Sequence, residues 1–290
     1  MQGGGLGRAG AVGQDVFPWP WPPCEAARGE RIRTVPGPTF MTQRAVLTGA
    51  SEGIGRALAR ALARAGYRLT LVARNRQRLD SLLDELAGQG HEILVADLAT
   101  TAGLDEAAAA VEKSRCHLLV NNAGAGAVGA FCEIDLEAQR ALLRLNAEAV
   151  TVLSHVFLRQ AEAGDVLLNV SSVVAFVPQP AQPLYSATKA FVTALTETLW
   201  QQVRDRGIDV IALHPGATET EFRRRASPDA KPRPRFLRQI PEEVAAVALR
   251  ALHHRRGPHV ISGVRNRILV RLARLLPRRW LLGLIGRFGR

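Results

Sequence analysis

The sequence predicts an α/β fold, a doubly wound parallel sheet in a single domain. Three observations predict it. Short β-branched or leucine-rich runs alternate with helical stretches from Arg44 onward, and a glycine-rich turn joins the first such run directly to the first helix. The third is size: 290 residues, 47% of them apolar, are enough to bury one large core.

The elements follow in order. Ala45–Thr48 reads as a strand and leads into a helix through Arg64; Arg68–Ala73 leads to a helix ending near Gly88. Glu92–Ala96 precedes the alanine-rich stretch 103–114, and His117–Val120 precedes a long helical stretch from Leu136 to Glu162. Asp165–Val170, a helix from Tyr185 to Arg206 and the strand Asp209–Leu213 complete the alternation, before a helix starting near Pro241 and a short strand at Pro258–Ser262. Continuous apolar strands linked by amphipathic helices belong to a parallel sheet covered on both faces, and right-handed crossovers make it a Rossmann-type sheet. The domain is expected over residues 41–263, with no second core-sized segment.

Residues 1–40, with Gly3-Gly4-Gly5 and the proline- and tryptophan-rich run Phe17–Pro23, carry no strand or helix period. They are expected to be a disordered or non-native extension, with Met41 as an alternative start. Three cysteines, Cys24, Cys116 and Cys132, lack metal-ligand spacing and argue for a reducing, cytoplasmic setting. The histidines show no metal-face spacing. No run reaches 18 consecutive apolar residues, so no membrane span is expected, and the N-terminus lacks the pattern of a signal peptide.

The formal charge of +12 is unevenly placed. Residues 222–290 hold 18 Lys and Arg against 3 Asp and Glu, whereas the chain before them is slightly acidic. Basicity therefore belongs to the last quarter, and no nucleic-acid module accompanies it, so nucleic acid is not an expected partner.

The glycines of Thr48-Gly49-Ala50-Ser51-Glu52-Gly53-Ile54-Gly55 suit a tight turn and close approach to a pyrophosphate, while the helix N-terminus that follows offers unpaired N–H groups. Tyr185 and Lys189 lie four apart, on one helical face. A neighbouring ammonium favours the phenolate, so Lys189 is expected to lower the pKa of Tyr185 and fit it for proton transfer at neutral pH. The second strand ends in Ala73-Arg74-Asn75 with no acid until Asp80, so a cation, Arg74, stands where a ribose 2′-phosphate would be gripped.

With Asn121-Asn122-Ala123-Gly124 and Pro215-Gly216 in order between and after these motifs, the chain resembles the short-chain dehydrogenase/reductase family over about residues 42–262. The resemblance implies NAD(P)-dependent oxidoreduction at a carbonyl or alcohol, with NADP(H) favoured over NAD(H) because of Arg74. It implies catalytic roles for Ser172, thirteen residues before Tyr185, and for Tyr185 and Lys189; the adjacent Ser171 is the weaker candidate. Asn146 would hold a water behind Lys189, which would also hold the nicotinamide ribose. The cofactor would lie on Thr48, Gly49, Ser51, Gly53, Ile54 and Gly55. Asp97 and Leu98 would meet the adenine, and Asn121, Ala123 and Gly124 would run along the cofactor. Pro215, Gly216, Thr218 and Thr220 belong to the loop that meets the nicotinamide, with the Thr220 hydroxyl on its carboxamide. Family members also imply a homo-oligomer.

A lid is expected at about residues 219–240, with seven cations and one acid from Phe222 to Ile240. This suits a phosphate- or carboxylate-bearing substrate such as a coenzyme A or acyl-carrier thioester, and equally a solvated loop. In the tail, residues 264–290, Arg267, Arg271, Arg274 and Arg278 share one helical face with leucines opposite, and Pro277 should break the helix. Two readings stand: an interfacial helix on an anionic membrane, or a helix packed on protein. The expected function is NADPH-dependent reduction of a ketone on an apolar, lipid-like or acyl-thioester substrate by a cytoplasmic enzyme peripheral to membrane. The alternative is a non-catalytic dinucleotide sensor or membrane-surface scaffold.

Overall fold

Arg44–Thr48 (β1) is buried at every position after its first residue, which places it in the middle of a sheet rather than at an edge. The computed structural model of the chain describes residues 43–226, 238–255 and 257–288; the predicted extension 1–40 and residues 227–237 of the predicted lid lie outside them. After β1 come Gly53–Arg64 (α1), Arg68–Ala73 (β2), Arg76–Leu83 (α2), Glu92–Val95 (β3), Thr101–Ser114 (α3) and Leu118–Asn121 (β4). Leu136–Leu143 (α4), Ala149–Gln160 (α5), Val166–Val170 (β5), Pro183–Val203 (α6) and Asp209–His214 (β6) follow. Glu221–Ala226 (α7), Pro241–His254 (α8), His259–Ile261 (β7), Val264–Leu275 (α9) and Arg278–Phe288 (α10) complete the order.

The seven strands pair in parallel in the order β3-β2-β1-β4-β5-β6-β7, the predicted doubly wound, Rossmann-type sheet in a single domain. Apolar residues of α1, α2 and α8, among them Leu58, Leu62, Leu79, Val244 and Leu252, fill one face. Leu104, Val111, Leu153, Phe157 and Val203, from α3, α5 and α6, fill the other. Each such fully buried side chain contributes about 1.5–3 kcal/mol.

Two elements depart from the expected periodicity. The helix expected to reach Gly88 ends at Leu83, because Gly88 and Gly90 adopt φ of 96° and 77° and turn the chain toward β3. The stretch expected to run unbroken from Leu136 to Glu162 contains a π-helical turn at Arg144–Glu148, centred on the buried Asn146. Leu136–Gln160 is also, by length and mean hydropathy, the stretch among the described residues that could cross a membrane, although its apolar residues are not consecutive. Its buried side chains pack in the domain core. At Pro277 the tail does break: Leu276 is extended and α10 starts afresh at Arg278.

Candidate active site

Strand order reverses beside β1, which lies between β2 and β4, so a crevice opens at the carboxyl ends of these strands. The predicted glycine turn lines it. Gly49 has φ of 65°, and a Cβ there would lie 2.8 Å from the Ala123 Cα; a Cβ on Gly55 would lie 2.0 Å from the Gly49 carbonyl oxygen. Backbone stands against backbone at both points, so neither tolerates a side chain. Thr48 is buried, its hydroxyl donating to the Val120 carbonyl at 3.3 Å and accepting from the Asn122 and Ala123 amides at 3.0 Å.

Asn122, which sequence reasoning passed over, ties the two loops together: its Nδ2 donates to the Thr48 and Gly49 carbonyls at 3.0 Å. The side chain of the predicted Asn121 is buried and donates to Ser154 Oγ at 3.2 Å and Asn169 Oδ1 at 2.9 Å, inside the sheet rather than toward the turn.

The turn suits a dinucleotide. No side chain caps the start of α1 and no acid occupies its first turn, which leaves helix N–H groups for a phosphate. Arg74 stands exposed at the end of β2, its guanidinium 3.5 Å from Asp97 Oδ2. Asp97 Oδ1 accepts from the Ala99 amide at 3.0 Å, and Leu98 is buried beside it. Ser51 and Ile54 lie in the turn, where the Ser51 carbonyl accepts from Arg56.

Ser172 ends β5 and caps a short 3₁₀ turn, Val173–Ala175; its Oγ accepts from the Val174 amide at 3.3 Å and donates to the Pro215 carbonyl at 3.5 Å. Tyr185 and Lys189 lie one turn apart on α6, which starts at Pro183. Lys189 is buried, donates from Nζ to the Val170 carbonyl at 2.8 Å, and lies 5.8 Å from the centroid of the Tyr185 ring. A Cβ on Gly124 would be 3.3 Å from Asn146 Oδ1 and 3.5 Å from Lys189 Nζ, so Gly124, Asn146 and Lys189 converge. Asn146 Oδ1 accepts from the Ala125 amide at 2.9 Å, and its Nδ2 donates to the Ala125 carbonyl at 2.8 Å and Thr188 Oγ1 at 3.2 Å. Ser171 is spent elsewhere, its hydroxyl 2.9 Å from the Lys189 carbonyl and 2.8 Å from Thr193 Oγ1.

The expected lowering of the Tyr185 pKa is not what this arrangement produces. Burial pushes the phenol up to about 12, against a hydrogen bond with Ser172 that favours the phenolate. Burial also brings Lys189 down to about 8. The ammonium is aimed at the Val170 carbonyl, and desolvation dominates the ionisation of the phenol.

The loop after β6 closes over the turn. Gly216 donates from its amide to Gln239 Oε1 at 3.3 Å, and Thr218 donates to the Gly216 carbonyl at 3.2 Å. Thr220 presses on Gly53, where a Cβ would be 2.8 Å from its methyl carbon. From α7, Phe222 lies against Tyr185 and Arg225 pairs with Glu52, which also pairs with Arg78. Burial raises Glu52, but Arg225 and Arg78 outweigh it and hold the carboxyl below its ordinary range. Unforeseen from sequence, Asn266 of α9 reaches Gln239 Oε1 at 3.2 Å and the Ser262 carbonyl at 2.7 Å, fixing the tail to the Gly216 loop.

A family model, short chain dehydrogenase, matches residues 43–231. The chain belongs to the short-chain dehydrogenase/reductase family: it is an NAD(P)-binding oxidoreductase acting on carbonyl or alcohol groups of small molecules. It is 33% identical to a 3-oxoacyl-[acyl-carrier-protein] reductase of Synechocystis, over 70% of this chain and 86% of that one. It is 32% identical to the mouse 17-beta-hydroxysteroid dehydrogenase type 3, over 68% and 65% respectively. A Sphingobium yanoikuyae short-chain dehydrogenase solved with NADPH is 35% identical, with a TM-score of 0.69, 76% of this chain and 87% of that one being covered. One from Burkholderia phymatum solved with NAD is 27% identical, with a TM-score of 0.70 over 80% and 93%.

Proposed function

We propose that the protein reduces a ketone on an apolar, lipid-like or acyl-thioester substrate with NADPH. The convergence of Ser172, Tyr185 and Lys189 at the mouth of the glycine-turn crevice carries this reading. Arg74 would hold the 2′-phosphate, the α1 N-terminus the pyrophosphate, and Lys189 the nicotinamide ribose. The bound nicotinamide supplies the hydride. Ser172 Oγ donates a hydrogen bond to the carbonyl oxygen, Tyr185 delivers the proton to it, and the Lys189 ammonium steadies the phenolate left behind. The rim favours an apolar substrate. The loop that carries Phe131, 54% exposed, is tied to the loop before α6 by the Gly129 amide donating to the Ala181 carbonyl at 2.9 Å. Tyr185→Phe should abolish ketone reduction while NADPH fluorescence still reports binding; retained turnover rejects the assignment. A panel of long-chain 3-oxoacyl thioesters, steroid ketones and short polar aldehydes tests the substrate class. Activity confined to the polar aldehydes rejects the lipid reading.

We further propose that α9 and α10 seat the enzyme on an anionic bilayer. Ala273 and Leu281 pack on Phe176 and Val177, four and five residues beyond Ser172. The opposite side leaves Ile268, Leu272, Leu275, Trp280, Leu282 and Leu284 exposed, Leu275 to 81%. Residues 264–290 hold eight arginines and no acid, so a second copy would set like charges face to face, whereas an anionic headgroup layer complements them. Leu272→Glu with Leu275→Glu should abolish flotation with phosphatidylserine vesicles. Equal flotation of the native and substituted chains counts against the membrane seat.

A further inference from the structure

Behind Ser172, on the side away from the crevice, two histidines 45 residues apart form a continuous chain. His214, fully buried at the end of β6, places Nδ1 3.3 Å from the Ser172 carbonyl oxygen and Nε2 3.1 Å from His259 Nδ1. His259, on β7, places Nε2 2.5 Å from Glu197 Oε1 on α6. Phe176, the residue that follows the turn Ser172 caps, covers both rings, with centroids 4.8 Å and 6.0 Å away, and Arg274 covers Phe176 at 4.7 Å.

The chain ends in acceptors on both sides, a backbone carbonyl and a carboxylate. Its three hydrogen bonds therefore need three hydrogens on two imidazoles, and two neutral rings carry only two. A complete chain of all three bonds would require one proton more than two neutral rings carry. His214 is not the seat of that proton: burial pushes that imidazole down to about 3, reinforced by His259, Arg274 and Lys189 against the bond to Ser172. A complete chain therefore needs His214 neutral with hydrogen on Nδ1, donating to Ser172, and would place the extra hydrogen between His259 and Glu197. The charged and titratable groups facing the pair are Glu197 and Lys189 from α6, Arg274 from α9 and each ring toward the other.

We propose that His214, His259 and Glu197 are positioning residues for Ser172, a protonated chain whose last bond fixes the carbonyl of that serine; this rests on the proposed role of Ser172 in reduction. Loss of the excess proton leaves two hydrogens for three junctions. The Ser172 end gives way, because its carbonyl keeps a second donor, the Ala175 amide at 3.1 Å, whereas the Glu197 carboxylate still attracts a ring N–H. His214 then moves its hydrogen to Nε2 and releases the serine turn.

Glu197→Gln separates this from a packing role. A glutamine amide donates to His259 Nε2, so both neutral rings can carry hydrogen on Nδ1 and all three bonds form without the excess proton. We expect an alkaline fall in kcat in the native enzyme, roughly fivefold for one net hydrogen bond, that Glu197→Gln lacks and Glu197→Leu moves to lower pH, with the KM for NADPH unchanged in all three. Nitrogen NMR of histidine-labelled protein should show one doubly protonated ring in the native enzyme at neutral pH and none in Glu197→Gln. Coincident pH profiles for the native and glutamine enzymes, or two neutral native rings, overturn the proposal. Full activity in Ser172→Ala would instead defeat the catalytic reading of Ser172, and the NMR result would stand apart from it.

Discussion

The rings of Phe222 and Tyr185 meet with centroids 5.5 Å apart and planes inclined at 52°, so the short helix after β6 covers the phenol at the centre of the site. A Cβ on Gly126 would lie 3.0 Å from the same phenylalanine ring, which is therefore held from the β4 side as well. The first turns of the lid thus help to set the environment in which the phenol ionises.

Phe222→Ala should admit water to Tyr185. Burial holds that phenol at about 12, so hydration moves its titration down toward the ordinary value of 10.0. The chain has two tyrosines, and Tyr67→Phe leaves Tyr185 as the single signal in tyrosinate absorbance. An unmoved titration would locate the burial in other neighbours.

Arg74 is 68% exposed in its side chain, with Asp97 Oδ2 3.5 Å away. Arg74→Ala should weaken NADPH by roughly tenfold or more, the worth of a charge-assisted contact of about 1.5–3 kcal/mol, and leave NADH affinity within about twofold. Fluorescence titration with both nucleotides checks this. Equal losses for the two would deny Arg74 any part in reading the 2′-phosphate.

His214 ties stability to pH. Its folded-state value of about 3 lies below its ordinary 6.5, chiefly through burial, so between these limits the unfolded chain binds the extra proton. Stability from this group is full above the unfolded value and is lost as pH falls toward the folded one, at about 1.4 kcal/mol per pKa unit. His214→Gln should flatten the denaturant midpoint between about pH 7 and pH 4 relative to the native chain. Parallel slopes would show that carboxylates alone account for the acid loss.

Local features were legible without the fold. β2 spans Arg68–Ala73 as its pattern predicts, and the Pro277 break and the glycine turn before α1 follow from residues within a few positions of one another. The spacing of Tyr185 and Lys189 placed both on one helical face, and the thirteen residues before Tyr185 selected Ser172 over Ser171, whose hydroxyl turns out to bond α6. The end of α2 and the π turn at Asn146 were not legible. One depends on glycines with positive φ beyond the helix, the other on a side chain that grips Ala125, 21 residues away.

The sequence by itself determined the alternation that makes a parallel sheet, the glycines that no other residue can replace, and the uneven charge that sets a basic tail on a slightly acidic body. Tertiary structure alone decided which neighbours those residues would meet. Strand register put Ala212 beside His259 and His214 beside Ile261, and so brought two scattered histidines into contact behind Ser172. Packing turned Asn122 rather than Asn121 toward the glycine turn. Burial reversed the direction expected for the Tyr185 phenol, because desolvation depends on what encloses a group and a motif records only its spacing.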